Sequence, residues 1–220
     1  MADTDPIRPA APPVDVTVEP LGLPGELSLP APGRGLVLFA HGSGSGRLSP
    51  RNRQVAAELR RAGFGTLLLD LLLSAEMERR ENVFDINLLS ERLVDATRWV
   101  RLQAGLGDTP IGYFGASTGA AAALVAETRL PGAVRAVVSR GGRPDLAGIA
   151  LERVRAPTLL IVGGDDVEVL PLNQRALDTL TCQKEMAIVP GATHLFEETG
   201  ALERVTELAT GWFTRHLVTS

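Results

Sequence analysis

Short, uninterrupted apolar runs recur along most of the chain: Gly35–Ala40 (GLVLFA), Phe64–Leu69 (FGTLLL), Ile111–Phe114 (IGYF), Val134–Val138 (VRAVV), Thr158–Val162 (TLLIV) and Glu185–Val189 (EMAIV). Apolar residues at successive rather than alternate positions are what strands show when both faces of a sheet are covered. Val14–Val18 alternates instead, and Gly25–Pro30 (GELSLP) follows it after a Pro/Gly turn, a pattern that predicts an antiparallel hairpin. Between the runs the period changes to that of a helix. Val55, Ala56 and Leu59 mark Pro50–Ala62; Leu88, Leu89, Leu93, Val94 and Val100 mark Asn87–Ala104; Leu172–Leu180 and Ala201–Leu217 behave likewise. Strands alternating with helices predict an α/β fold: a doubly wound, mostly parallel sheet with an N-terminal antiparallel hairpin and helices on both faces.

Residues 1–13, with their prolines and charges, are expected to form a loose arm ahead of one domain over residues 14–220. Leu71–Phe84 (LLLSAEMERRENVF) is expected to be an irregular, exposed crossing, and no insertion between strands is long enough for a separate lid domain. The formal charge of −4 lacks the basic surplus that nucleic-acid binding requires. The N-terminus has neither the basic start nor the apolar middle of a signal peptide, and no run reaches membrane-spanning length, so a cytoplasmic location without membrane association is expected. Cys182 is the single cysteine, so no disulfide can form within the chain. The pattern says nothing about oligomeric state.

Ligands of such sheets bind beyond the carboxyl ends of the strands. Gly115-Ala116-Ser117-Thr118-Gly119 stands at such a place and fits G-x-S-x-G between an apolar strand and the helix-forming run Ala120–Glu127. A strand that turns abruptly into a helix strains the serine and presses its neighbours against adjacent backbone, so the flanking positions must be small. A tight packing turn would show the same small residues. Two downstream strand ends discriminate: Gly163-Gly164-Asp165-Asp166 and Gly191-Ala192-Thr193-His194 give the chain order Ser, Asp, His. A serine hydroxyl is a weak nucleophile until an imidazole takes its proton, and a carboxylate must fix that imidazole's tautomer. Of the three histidines, His216 lies within the terminal amphipathic helix and His41 precedes a glycine loop whose backbone it would shape, which leaves His194 as the base. The loop His41–Gly46 (HGSGSG) is placed to offer an oxyanion amide, expected from Ser43, beside the amide of Thr118. A phosphate-cradling loop is the rival reading, but neither G-x-G-x-x-G nor the P-loop lysine is present there.

With these residues the chain resembles the α/β-hydrolase superfamily, and within it the lidless dienelactone hydrolase-like branch. HGSGSGRLSPRN, LLLDLL, FGASTGAAAAL, SRGGRPDLAG, LLIVGGDD and VPGATHLFEE resemble a subgroup related to hydrolases fused to phosphoribosyltransferases. The resemblance implies Ser117 as nucleophile, His194 as base and Asp166 as acid, with Asp165 as the fallback. It also implies hydrolysis of small carboxylic esters or lactones without a metal or organic cofactor. Dienelactone hydrolases proper carry a cysteine nucleophile, whereas this chain has serine at that place and its cysteine elsewhere. An acyltransferase using the same acyl-enzyme and a noncatalytic hydrolase-like binding module are the alternatives.

Arg47 and Arg51 follow the glycine loop, and Arg140 and Arg143 follow the fourth parallel strand. Together they could recognise a carboxylate or phosphate on the substrate, for which the guanidinium fork is suited. The competing expectation is that they brace loops by pairing with Asp70, Glu76, Glu78 or Asp145. Leu71–Leu73, Met77 and Phe84 are candidates for lining an acyl pocket, or equally for covering the sheet.

Overall fold

A computed structural model describes residues 8–218. The central strands are β3 (Leu36–Ala40), β4 (Gly65–Leu69), β5 (Ile111–Ala116), β6 (Val134–Arg140) and β7 (Thr158–Gly163), buried at nearly every residue. Continuous burial is why they read as unbroken apolar runs. β8 (Lys184–Val189) is the half-exposed edge, and its polar positions Lys184 and Glu185 follow from that. At the other edge β1 (Val14–Val18) pairs antiparallel with β2 (Leu23–Ser28), and β2 runs antiparallel to β4. The eight strands form one sheet in the order β1-β2-β4-β3-β5-β6-β7-β8, parallel from β4 to β8.

α1 (Pro50–Arg61) and α6 (Ala201–Leu217) cover one face through Val55, Leu59, Trp212 and Phe213. α3 (Ile86–Leu102), α4 (Thr118–Arg129) and α5 (Leu170–Thr179) cover the other through Leu93, Val100, Ala121–Ala126 and Ala176. α4 is buried from Thr118 to Glu127, so its alanines let it lie close between the sheet and α3. The chain passes from β3 to β4 on one side and then returns across β3 to β5 on the other. This reversal opens a crevice at their carboxyl ends, between the glycine loop after β3 and the turn after β5.

Two segments differ from expectation, and a third, Pro144–Arg153, is one for which the sequence pattern predicts no element. Residues 1–7 of the expected arm lie outside the described residues, but its end is tied down: Ala10 N–H donates to Arg60 O at 2.9 Å and Ala11 N–H to Leu29 O at 3.0 Å. These two bonds use backbone acceptors at the end of α1 and just after β2, partners that composition does not reveal. The expected irregular crossing contains the short helix α2 (Ser74–Met77) and a 3₁₀ turn at Asn82–Phe84. Glu76 organises it, accepting from Leu73 N at 2.9 Å and Arg92 Nη2 at 2.6 Å. Residues Pro144–Arg153, which carry no clear period, form 3₁₀ turns kinked at Gly148.

Candidate active site

Ser117 sits between the last residue of β5 and the first of α4 with φ 51° and ψ −123°, a conformation a side chain adopts only under constraint. The constraints are backbone contacts. Arg143 N–H donates to Ser117 O at 3.0 Å, and Ser117 N–H donates to Arg140 O at 3.4 Å. A Cβ on Gly119 would stand 2.1 Å from Ala40 O, and one on Gly115 2.5 Å from Ala120 Cα, so neither flanking glycine can be replaced without moving backbone.

His194, beyond β8, donates through Nδ1 to Asp166 Oδ2 at 2.7 Å. Asp166 is 8% exposed at the end of β7, while Asp165 faces solvent. Asp166, rather than its neighbour, therefore meets the imidazole. The two loops that carry this pair lie against one another, since Asp165 N–H donates to Ala192 O at 3.0 Å. Ser117 and His194 line one cavity of about 240 Å³ together with Gly42, Ser43, Arg140 and Gly141. The carboxylate bond leaves His194 Nε2 as the nitrogen able to accept a proton.

The glycine loop crosses directly over the elbow, where a Cβ on Gly42 would come within 2.8 Å of Ser117 Cβ. Ser43 N–H donates to Thr118 Oγ1 at 3.0 Å, so in this resting arrangement that amide is occupied by a side chain. Thr118 opens α4, and a helix's first N–H groups have no acceptor within it. His41 holds the loop from behind: Leu71 N–H donates to its Nε2 at 2.9 Å, while Nδ1–H donates to Gly42 O at 3.0 Å. That pair of bonds requires a neutral ring, and burial pushes the His41 pKa below the ordinary imidazole value. Asp70 fixes the far end, accepting from Arg47 N at 2.7 Å and pairing with the Arg47 guanidinium. Across the loop lies a larger cavity of about 690 Å³, with Leu48, Leu72, Met77, Val83 and Leu89 as its apolar wall. Of the residues considered for an acyl pocket, Leu72 and Met77 reach it; Leu71 is buried in the core and Phe84 is exposed.

The four arginines separate into two kinds. Arg47 is a brace on Asp70, and Arg143 is a brace on Asp145 at 2.8 and 2.9 Å. Neither lines the cavity that holds Ser117, so the four arginines do not form one cluster there, and the pairs with Asp70 and Asp145 are the bracing contacts that were the competing expectation. Arg51 and Arg140 do line it. Arg51 pairs with Glu197 at 2.8 Å on the outer side. Arg140 is 6% exposed and has no carboxylate partner among the described residues; its Nη2 donates to Asn52 Oδ1 at 3.1 Å. Burial first, then repulsion by Arg51, pushes its pKa down to about 10.

Asn52 and Asn173 were not singled out from the sequence. Asn52 occupies the apolar stripe Asn52, Val55, Ala56, Leu59 of α1, and a polar residue on a buried stripe is the signal that could have found it. Asn173 Nδ2 donates to Gly142 O at 3.0 Å and so steadies the turn that holds Ser117, a long-range role without a local signature. His216 packs against Trp212 on α6 with ring centroids 4.6 Å apart and the rings tilted by 57°. Cys182 contacts Thr158 at the start of β7, the opposite end of the sheet from Ser117. Among the described residues no group of three or more His, Cys, Asp or Glu is placed to hold a metal ion, and no helix is long and apolar enough to cross a membrane.

No family profile matches the chain. Over 204 residues it is 57% identical to a Mycobacterium tuberculosis protein provisionally named a phosphoribosyl transferase; the match covers 93% of this chain but 46% of that protein. The chain thus spans about half the length of the curated relatives it matches. The crystal structure of a dienelactone hydrolase from Anabaena variabilis superimposes with a TM-score of 0.90 at 53% identity, covering 95% of this chain and 99% of that one. A dienelactone hydrolase-like promiscuous phosphotriesterase from metagenomic libraries shares the fold at a TM-score of 0.74 and 18% identity, covering 96% of this chain and 100% of that one. The sequence elements, the eight-stranded sheet and the near-complete match to the Anabaena structure together place the chain in the dienelactone hydrolase-like family of α/β-hydrolases.

Proposed function

We propose that the protein is a serine hydrolase that cleaves carboxylic esters or lactones of small substrates through an acyl-enzyme on Ser117. The observation that carries this reading is the shared cavity: a strained Ser117 and His194 line it, and His194 is held through Nδ1 by the buried Asp166 at 2.7 Å. Ser117 Oγ attacks the carbonyl carbon while His194 Nε2 takes its proton, and Asp166 stabilises the resulting imidazolium. The carbonyl oxygen, now negative, receives the amides of Thr118 and Ser43, displacing Thr118 Oγ1 from the latter. His194 then protonates the departing alcohol, and water repeats the sequence to release the acid.

Labelling with a fluorophosphonate probe tests the assignment. The parent protein is expected to be labelled and Ser117→Ala to remain unlabelled; equal labelling of both would refute Ser117 as nucleophile. Turnover of short-chain acetyl esters by the parent, absent in the variant, would establish the ester class.

A further inference from the structure

Arg140 is held in an unusual way for a buried cation. The residue is 6% exposed, its guanidinium donates to one amide oxygen, and its Nε is buried without a partner among the described residues. The Nε of Arg51, the second guanidinium on the same cavity wall, is likewise buried and unpartnered. Leaving a buried donor unpaired is costly, and holding two like charges on one wall adds to that cost. Such an arrangement is stable in a folded protein at a place where an anion completes it.

The surroundings add further donors. α1 begins at this wall with Ser49 as its N-cap; Pro50 has no N–H and the Asn52 and Arg53 amides already bond to Ser49, so the end of the helix contributes its positive dipole, which no acidic residue in the first turn quenches. The hydroxyls of Ser45 and Ser49 line the same cavity, and the aromatic face of Phe196 backs the Arg140 guanidinium at 6.0 Å. We propose that Arg140 and Arg51, with the amino end of α1, form a subsite for a phosphate group carried by the ester substrate. This rests on the hydrolase reading, because the subsite opens into the cavity lined by Ser117 and His194.

The donor set favours phosphate over carboxylate. A carboxylate is planar and is satisfied by a single guanidinium fork, whereas a phosphate monoester is a tetrahedral dianion that bridges two guanidiniums and takes hydroxyl donors as well. Arg51 is free to turn inward, since its pair with Glu197, which is 63% exposed, is of the weak surface kind. The 240 Å³ cavity has room for a phosphate group beside Ser117, and it shares Gly42, Ser43 and Arg51 with the 690 Å³ cavity, which is left for the rest of the substrate.

Calorimetric titration of the Ser117→Ala protein with inorganic phosphate tests the subsite without any turnover. One saturable site is expected, weakened tenfold or more by Arg140→Gln, and acetate is expected to bind far more weakly. Because Arg140 is buried, Arg51→Gln provides a second variant in case the first fails to fold, with loss of affinity again expected. In the parent enzyme, the acetyl ester of a phosphorylated alcohol is expected to exceed its unphosphorylated counterpart at least tenfold in kcat/KM, a preference that Arg140→Gln abolishes. Absence of saturable phosphate binding, binding indifferent to both substitutions, or acetate binding as tightly as phosphate would overturn the proposal. Failure of fluorophosphonate labelling would instead strike the hydrolase reading, leaving the phosphate titration to stand on its own.

Discussion

The imidazole of His194 donates from Nδ1 to the Asp166 carboxylate at 2.7 Å, and the neighbouring Asp165 turns away to solvent. Asp166→Asn preserves the shape but removes the charge that stabilises the imidazolium and permits the wrong ring tautomer. Its kcat on a short acetyl ester is expected to fall on the order of 10³–10⁴-fold with KM little changed. Asp165→Asn is expected to stay within about twofold of the parent, since it touches neither ring nor cavity. Steady-state kinetics on both variants checks the assignment, and a large loss in Asp165→Asn would reverse it.

His41 accepts a backbone N–H and donates to a backbone carbonyl, which requires the neutral ring. Its native pKa lies below the ordinary value of 6.5 that the unfolded chain retains. Below that pH the unfolded state binds a proton that the native state refuses, so stability falls as the pH drops below 6.5. Urea unfolding at pH 7 and pH 5 should show this loss. His41→Gln, although less stable at pH 7, is expected to show a smaller difference between the two.

Asp70 holds the glycine loop through the Arg47 amide at 2.7 Å and the Arg47 guanidinium. Asp70→Ala releases the loop that carries Ser43. The expected result is a loss of roughly tenfold in kcat, the worth of about 1.4 kcal/mol of positioning, with fluorophosphonate labelling slowed but not abolished. Labelling rates as fast as the parent's would show that the loop keeps its place without Asp70.

A methyl group at Gly119 would meet the carbonyl of Ala40 at 2.1 Å, and a central strand cannot yield to it. Gly119→Ala is expected to cost about 3 kcal/mol or more in urea unfolding, or to prevent soluble expression. Gly211→Ala on α6, where a Cβ meets nothing within 4 Å, is the matching control and is expected to be neutral or slightly stabilising.

Burial pattern and turn chemistry made most of the fold legible. Leu36–Ala40 and Thr158–Gly163 are buried at every residue, and a strand covered on both faces must be written in apolar residues. The elbow was legible for a comparable reason, because its steric demands fall on Gly115 and Gly119, immediate neighbours of Ser117. The crossing between β4 and α3 was not, since Glu76 organises it by reaching Arg92, sixteen positions away.

By itself the sequence determined the alternation of strand and helix and the turn around Ser117, which rest on periodicity and on contacts between near neighbours, and it placed a serine, an aspartate pair and a histidine, in that order, at strand ends. The tertiary structure alone decided which aspartate meets the imidazole, that Ser43 N–H rests on Thr118 Oγ1, and that Arg47 and Arg143 brace loops while Arg51 and Arg140 face the cavity. Those outcomes depend on the burial and orientation of side chains brought together from distant strand ends. A guanidinium's partner is chosen by distance in space, and no local pattern along the chain encodes that distance.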